Sequence, residues 1–312
     1  MTQRTMPWMD ATKVHVKPFL KWAGGKSQLL PEIEKRLPTE MAAGKIETYV
    51  EPFIGGGAVF FYIAQKFPHL GRFCLIDIND DLINCYNAVK FNVDALIREL
   101  HDLQQQFLQS DQKEFFLDVR AKFNKHKPLS YDKEKPDIDT AARLLFLNRT
   151  CFNGLYRVNR KGQFNVPFGR YKNPRICAPR LLQEASELLE KAEIICGHFQ
   201  DSTAFIDDKT FVYFDPPYRP LSATASFTSY AKEDFGEKDQ IRLSQFCREI
   251  DEEGAKFLLS NSDPKNEAPN DTFFEDHYEK YGFHIDKVKA ARAINCKAAG
   301  RGKINELLIT NY

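Results

Sequence analysis

Between residues 46 and 79 the chain fits a strand, a glycine turn, a helix and a second strand. "IETYVEPF" (46–53) is an apolar run that breaks at a turn, "IGGGAVFFYIAQKF" (54–67) continues as a helix, and "RFCLIDIN" (72–79) is again apolar. Two strands joined through one helix must run parallel, because the helix carries the chain back to the starting edge of the sheet. That order excludes helical bundles and hairpin-built all-β folds, and predicts a doubly wound α/β sheet. "DDLINCYNAVKFNVDALIRELHDLQQQFLQ" follows as a long helix with its paired aspartates suited to cap it. The same rhythm returns in "LLQEASELLEKA", "EIICGHF", "TFVYFDPPY", "DQIRLSQFCREIDEEG" and "AKFLLSNS", and "KINELLITNY" closes the chain as a final strand.

The centre breaks this pattern. Residues 140–183 contain no aspartate or glutamate, yet hold nine cations: Arg143, Arg149, Arg157, Arg160, Lys161, Arg170, Lys172, Arg175 and Arg180. Six aromatics (Phe146, Phe152, Tyr156, Phe164, Phe168, Tyr171) are interleaved with them. A net charge of +1 over 312 residues hides this segregation. A basic face can be merely solvated; complete loss of acids over such a stretch favours a surface that tracks phosphates. Within it "YRVN-RKG-QFNV" reads as a short hairpin with a three-residue loop ending in glycine. The sheet is therefore interrupted by a basic insert, residues 91–190.

Hydrophobic content of 43% and charged content of 28% suit an ordinary globular protein. Seven scattered cysteines without C-x-x-C spacing indicate neither a zinc site nor a disulfide framework, and no other metal site is read. There is no apolar run of membrane-spanning length, and "MTQRTMPWMDATKVHV" lacks a signal-peptide core. The expectation is a cytoplasmic protein.

Three motifs carry chemistry. In "EPFIGGGAVFF", Gly55 and Gly57 match the first two glycines of G-x-G-x-x-G, while Phe60 stands at the third position. Asp77 ends the next strand, where a carboxylate can accept hydrogen bonds from ribose hydroxyls. A capped glycine turn is the other reading. "FDPPY" (214–218) lies at the carboxyl end of a strand, where open α/β sheets place their sites. At roughly one in twenty per position, its last four residues recur by chance in about one 300-residue chain in five hundred. Two acceptors, the Asp215 carboxylate and the Pro216 carbonyl, can draw the N–H bonds of an exocyclic amine such as adenine N6 and so direct its lone pair at a methyl group. Pro216 and Pro217 keep that backbone stiff, and Tyr218 offers a face for an extruded base. A Pro-Pro turn with a surface tyrosine is the plain alternative. The third motif is "KWAGGKS". It is not a P-loop, because Leu20 stands where the first glycine is required, and no acidic pair for magnesium accompanies it. Trp22 can pack on a cofactor or serve as a core anchor. Gly24 and Gly25 allow close backbone approach, and Lys26 can pair with a carboxylate.

Taken in order, "KWAGGK", "EPFIGGG", the insert with "FNGLYRVNRKGQFNVPFGRYKNP" and "FDPPY" resemble the Dam-type DNA adenine N6-methyltransferases, including the GATC adenine methylases of restriction–modification systems. The resemblance spans residues 17–312, and implies an N-terminal extension (1–16) without counterpart, a catalytic domain in two pieces (17–90 and 191–312) and a target-recognition insert (91–190). It implies a Rossmann-like methyltransferase fold: a mostly parallel seven-stranded sheet whose last strand is antiparallel, with an inserted, mainly helical target-recognition domain carrying a β-hairpin. It also implies S-adenosyl-L-methionine as methyl donor and double-stranded DNA as partner. By position, the family's cofactor residues fall on Trp22, Lys26, Asp77 and Asp215, with Gly24, Gly25, Phe53, Gly55, Gly57 and Phe199 around them. Catalysis falls on Asp215, Pro216, Pro217 and Tyr218. Phe152, where tyrosine is frequent in the family, keeps a wedge that pushes into the base stack. Lys21 matches a lysine that contacts the outer guanine, and Asn153, Leu155, Arg157, Asn159, Pro167 and Tyr171 fall on positions that place or read GATC. The Ser/Thr-rich segment after Tyr218 is read either as a lid, with Tyr230 or Phe235 covering the adenine, or as a surface loop. The resemblance implies a monomer in a bacterial or phage setting and leaves open a cognate restriction endonuclease. Beside this stand two rival readings: methylation of RNA or cytosine N4, and a DNA-binding subunit without turnover.

Overall fold

The computed structural model describes residues 16–125, 132, 135–219, 235–291 and 303–312. Its strands are β1 (Thr48–Glu51), β2 (Arg72–Asp77), β3 (Ala192–Cys196), β4 (Thr210–Phe214), β5 (Lys256–Ser262), β6 (His284–Ala291) and β7 (Lys303–Thr310). They form one seven-stranded sheet in the order β3-β2-β1-β4-β5-β7-β6. β1 to β5 pair in parallel, and β7 runs antiparallel between β5 and β6. This is the doubly wound sheet that the strand–helix rhythm predicts, with the antiparallel last strand that the resemblance implies. Residues 1–15, and with them nearly all of the proposed extension, lie outside the described residues, as does Cys296. Among the described residues no helix is long and apolar enough to cross a membrane.

The helices are α1 (Leu30–Glu34), α2 (Thr39–Ala42), α3 (Ala58–Lys66), α4 (Asp80–Gln109), α5 (Gln112–Lys125), α6 (Ile138–Thr150), α7 (Pro179–Leu189), α8 (Glu237–Glu252) and α9 (Phe273–His277). The two-residue period of the strands sorts their side chains between two cores. Tyr49, Phe73, Leu75, Phe211 and Tyr213 face the layer of α3 and α4, whereas Val50, Cys74, Ile76, Val212 and Phe214 face α8 and α9. Because both faces are covered, these strands read as near-continuous apolar runs.

Three local readings change. The cap of α4 is Asn79, whose side chain accepts from the Leu82 N–H at 3.0 Å; Asp80 and Asp81 sit inside the first turn. α4 also leaves helical geometry at Asn92 (φ −140°, ψ 38°) before continuing into the insert. β6 has no counterpart in the run of elements read from sequence. "HIDKVKAA" covers a sheet edge, and only Val288 of its described side chains is fully buried, so it lacks the apolar signal of a central strand.

Among the described residues the insert forms no core separate from that of the sheet. Phe107, Phe116, Phe123, Phe146 and Phe164 are fully buried in the same cluster as Tyr49 and Phe211 of the sheet. α7, which the 91–190 division assigns to the insert, packs on α3 and α4 and returns the chain to β3.

Candidate active site

The chain reverses direction across the sheet between β1 and β4, and open α/β folds leave a crevice outside the carboxyl ends of such strands. "EPF", Asp77 and "DPPY" all emerge there, from β1, β2 and β4. The glycine turn after β1 is shaped by close approach. Gly55 and Gly57 both have positive φ (45° and 71°), and a Cβ on Gly57 would lie 2.5 Å from the Tyr86 hydroxyl oxygen. That hydroxyl donates to the Gly55 carbonyl at 3.0 Å.

Asp77 reaches under this turn. It accepts from the Gly55 N–H (3.0 Å) and the Asn79 N–H (2.9 Å). Burial pushes its carboxyl up to about 6 against the pull of those backbone donors. Beside it Phe53 and Phe199 stand with ring centroids 5.8 Å apart, and Phe235 packs edge-on to Phe53 at 5.4 Å. Phe235 thus packs as part of this aromatic wall. Tyr230 lies outside the described residues.

Trp22 is half-buried. It stacks on Tyr156 at 5.0 Å, and a Cβ on Gly55 would come within 3.0 Å of its Cδ1. The Tyr156 hydroxyl in turn donates to the buried carboxylate of Asp81 at 2.6 Å. The anchor reading of Trp22 therefore describes its packing: the indole ties the glycine turn to the insert. Gly24 turns with φ 78°, and the chain then delivers Lys26 into the crevice.

Lys26 finds its carboxylate within the chain. Its Nζ lies 2.6 Å from Asp215 Oδ1, 3.1 Å from the Gly24 carbonyl and 4.8 Å from the centroid of Tyr218. Only 5% of the Lys26 side chain and 20% of Asp215 are exposed. Burial alone would lower the lysine's pKa, but Asp215 and Tyr218 together raise it, so Lys26 is a cation. Burial raises the Asp215 carboxyl while Lys26 holds it down. We take the pair as ionised at neutral pH, because the cation is the nearest charge. Ser260 Oγ donates to Asp215 Oδ1 at 3.2 Å, and the fully buried Gln240 donates to the Pro217 carbonyl at 2.8 Å. Pro216 is buried, Pro217 exposed and Tyr218 half-buried.

The basic centre divides on inspection. Arg143 pairs with Asp139 (2.6 Å) and Arg180 with Glu184 (2.7 Å), acids just outside the acid-free window, and Arg149 donates to the Phe19 carbonyl at 2.7 Å. Arg157, Arg160, Lys161, Arg170, Lys172 and Arg175 are exposed, as is Arg180 beside its glutamate. Of the six interleaved aromatics, Phe152 alone is a large exposed hydrophobic, at 51%. The hairpin is present in minimal form: Val158 bridges Phe164, the Asn159 N–H donates to the Gln163 carbonyl at 2.9 Å, and Gly162 takes φ 73°. Asn159 organises its loop by accepting from the N–H groups of Lys161 and Gln163. Arg157 Nε donates across the hairpin to Asn165 at 2.7 Å. Leu155 is half-buried against the core, whereas the exposed Pro167 accepts from the Phe152 N–H at 2.8 Å. Asn153 (φ 57°) donates its N–H to the Tyr171 hydroxyl at 3.0 Å, and Lys21 Nζ lies 5.7 Å from that ring. Lys21, Phe152, Asn153 and Tyr171 are thus brought to one edge of the crevice.

The model of the D12 class N6 adenine-specific DNA methyltransferases matches residues 22–294. The chain belongs to this family. It is 51% identical over 303 residues to the type II methyltransferase M.MjaIII of Methanocaldococcus jannaschii, covering 96% of this chain and 100% of that protein. It is 40% identical over 309 residues to the type II methyltransferase M1.LlaDCHI of Lactococcus lactis subsp. cremoris (98% and 99%). It is 39% identical over 294 residues to the DNA adenine methylase of Serratia marcescens (94% and 97%).

Sequence reasoning missed several residues of this adenine methyltransferase. Ser260 and Gln240 support Asp215 and the Pro-Pro turn, Tyr156 backs Trp22, and Asn148 touches both Lys21 and Gly154. The available signal was a polar residue inside an apolar pattern, as in "FLLSNS" and "LLFLNR". Such residues are buried only with a hydrogen-bond partner, which sequence does not name.

Proposed function

We propose that this DNA adenine methyltransferase acts on adenine N6 in double-stranded 5′-GATC, with S-adenosyl-L-methionine as donor. The observation that carries the reading is the Asp215 carboxylate, fixed by Lys26 and Ser260 beside the Tyr218 ring at the switch point of the sheet. The residues around it suit the donor. Asp77 offers a carboxylate for ribose hydroxyls, Phe53 and Phe199 an apolar wall for a purine, and the Gly55–Gly57 turn an approach that no Cβ obstructs. When bound, S-adenosyl-L-methionine supplies an electrophilic methyl group. Gly24, Gly25 and Trp22 shape the near side of that pocket, and Lys26 acts through Asp215.

On the substrate side, Asp215 and the Pro216 carbonyl accept from the N6 amine, and Tyr218 stacks on a base flipped from the duplex. Phe152 fills the gap that the adenine leaves. Lys21, Asn153, Leu155, Arg157, Pro167 and Tyr171 place or read the target, with Asn159 setting the hairpin that presents Arg157. Exposed cations from Arg160 to Arg175 track phosphates. Residues 17–90 and 191–312 serve the chemistry and 91–190 the target, with one copy of the chain sufficient. The names of the two type II relatives favour a second statement, that this is the modification enzyme of a restriction system.

The test is transfer of labelled methyl to three duplexes, carrying GATC, a scrambled site, and GATC already N6-methylated on both strands. Label entering only the first supports donor, atom and site together; label entering the scrambled duplex equally removes GATC. Asp215→Ala should abolish turnover and keep duplex binding, with Asp215→Asn as a control because alanine strands buried Lys26. Turnover retained in both would remove Asp215 from the chemistry.

A further inference from the structure

α6 carries Asn148 and Arg149 in its last turn, and both fasten the chain segment that leads into the active site. The Asn148 side chain is buried and makes three hydrogen bonds, all to backbone. Its Oδ1 accepts from the Lys21 N–H at 2.8 Å, and its Nδ2 donates to the Lys21 carbonyl at 2.8 Å and to the Gly154 carbonyl at 2.9 Å. It treats Lys21 as a neighbouring strand would, and holds the Phe152–Gly154 loop with the same amide. The junction is close-packed: a Cβ on Gly154, whose φ is 65°, would lie 2.4 Å from Lys21 Cδ and 3.1 Å from the Asn148 carbonyl oxygen. Arg149 adds its bond to the Phe19 carbonyl. From Lys21 the chain passes directly through Trp22 and the glycine turn to Lys26, which sets Asp215.

We propose that Asn148 is a positioning residue that locks the target-reading loop to the Trp22–Lys26 turn. Seating of Phe152 and Lys21 on DNA then fixes Lys26, and through it Asp215, for transfer. The inference rests on the reading of Lys21 and Phe152 as DNA contacts. No element other than this amide needs to move for the two to be coupled, because one side chain bonds both segments.

Asn148→Ala and Asn148→Asp separate this role from simple support of the fold. Single-turnover methylation is measured on the duplex that the wild type prefers and on one with its outer guanine replaced, alongside S-adenosyl-L-methionine affinity and thermal midpoint. Asn148→Ala should slow the preferred duplex about 10- to 100-fold, the scale of a small misplacement at a reacting centre. Cofactor affinity should stay within about twofold, a change worth less than one hydrogen bond, and discrimination between the duplexes should shrink. Asn148→Asp keeps the acceptor and, when ionised, loses both donors; protonation restores one. Its rate relative to wild type should therefore rise as pH falls, with no such trend for alanine. A wild-type rate in Asn148→Ala, or an equal loss on both duplexes with a flat pH ratio for Asn148→Asp, would overturn the proposal. A wild type indifferent to the outer guanine would instead overturn the reading of Lys21, and the pH ratio on any methylated duplex would still decide the role of Asn148.

Discussion

Asp77 shows how one residue is tuned by what surrounds it. Two backbone donors favour its ionised form, burial opposes it more strongly, and the carboxyl is pushed up to about 6. Its folded pKa therefore lies above the ordinary carboxylate value, so its contribution to stability is full at acid pH and lost as pH rises through about 6. Ribose hydroxyls need the opposite state, the ionised acceptor. Affinity for S-adenosyl-L-methionine should thus rise as pH increases through about 6, and calorimetric titration across that range checks it. Asp77→Asn should lower affinity roughly 10- to 100-fold, as loss of hydrogen bonds to a charged acceptor does, and flatten the pH dependence. A variant that binds as tightly and with the same pH profile would remove Asp77 from the pocket.

At the scale of elements, the glycine turn after β1 works because α4 comes so close to it. Gly57→Ala places a Cβ 2.5 Å from the Tyr86 hydroxyl and holds alanine at φ 71°, a backbone region that costs about 1–3 kcal/mol for a non-glycine residue. Its thermal midpoint should fall, and Tyr86→Phe added to it should recover part of the loss by removing the clashing oxygen. No recovery in the double variant would place the cost in backbone strain alone. Legibility differed between elements for the same kind of reason. β1, β2 and β4 were plain because both faces are buried and their central residues are apolar, whereas β6 carries polar residues along an exposed edge. The cap of α4 was misplaced by one residue because Asn79, Asp80 and Asp81 are all good caps, and backbone geometry alone selects Asn79.

For the whole molecule, the DNA-facing charge is smaller than the nine central cations suggest. Asp139 and Glu184 offset Arg143 and Arg180, and Arg149 is half-buried against the Phe19 carbonyl, so most of the field reaching a duplex comes from the exposed residues between Arg157 and Arg175. Lys172→Ala should weaken binding to every duplex and reduce the slope of log K against log salt by about one. Arg157→Ala should instead relax sequence choice, since a bidentate contact to guanine contributes about 1–3 kcal/mol of discrimination. Binding titrations over a salt series with matched and mismatched duplexes measure both. Equal losses on all sequences for the two variants would argue against direct readout by Arg157.

The sequence by itself determined the sheet and the motifs at its carboxyl edge. Apolar periodicity, glycine turns and "FDPPY" are local signals, and parallel strands leave little freedom in where their ends can lie. It also made the hairpin legible, because Gly162 is needed where φ is positive. Only the tertiary structure decided which polar groups meet. Lys26 pairs with Asp215, Trp22 stacks on Tyr156, and Asn148 bonds Lys21, 127 residues away in the chain, as well as Gly154. The insert's phenylalanines likewise join the core of the sheet instead of forming their own. Such contacts depend on distances between segments remote in sequence, and no local propensity encodes them.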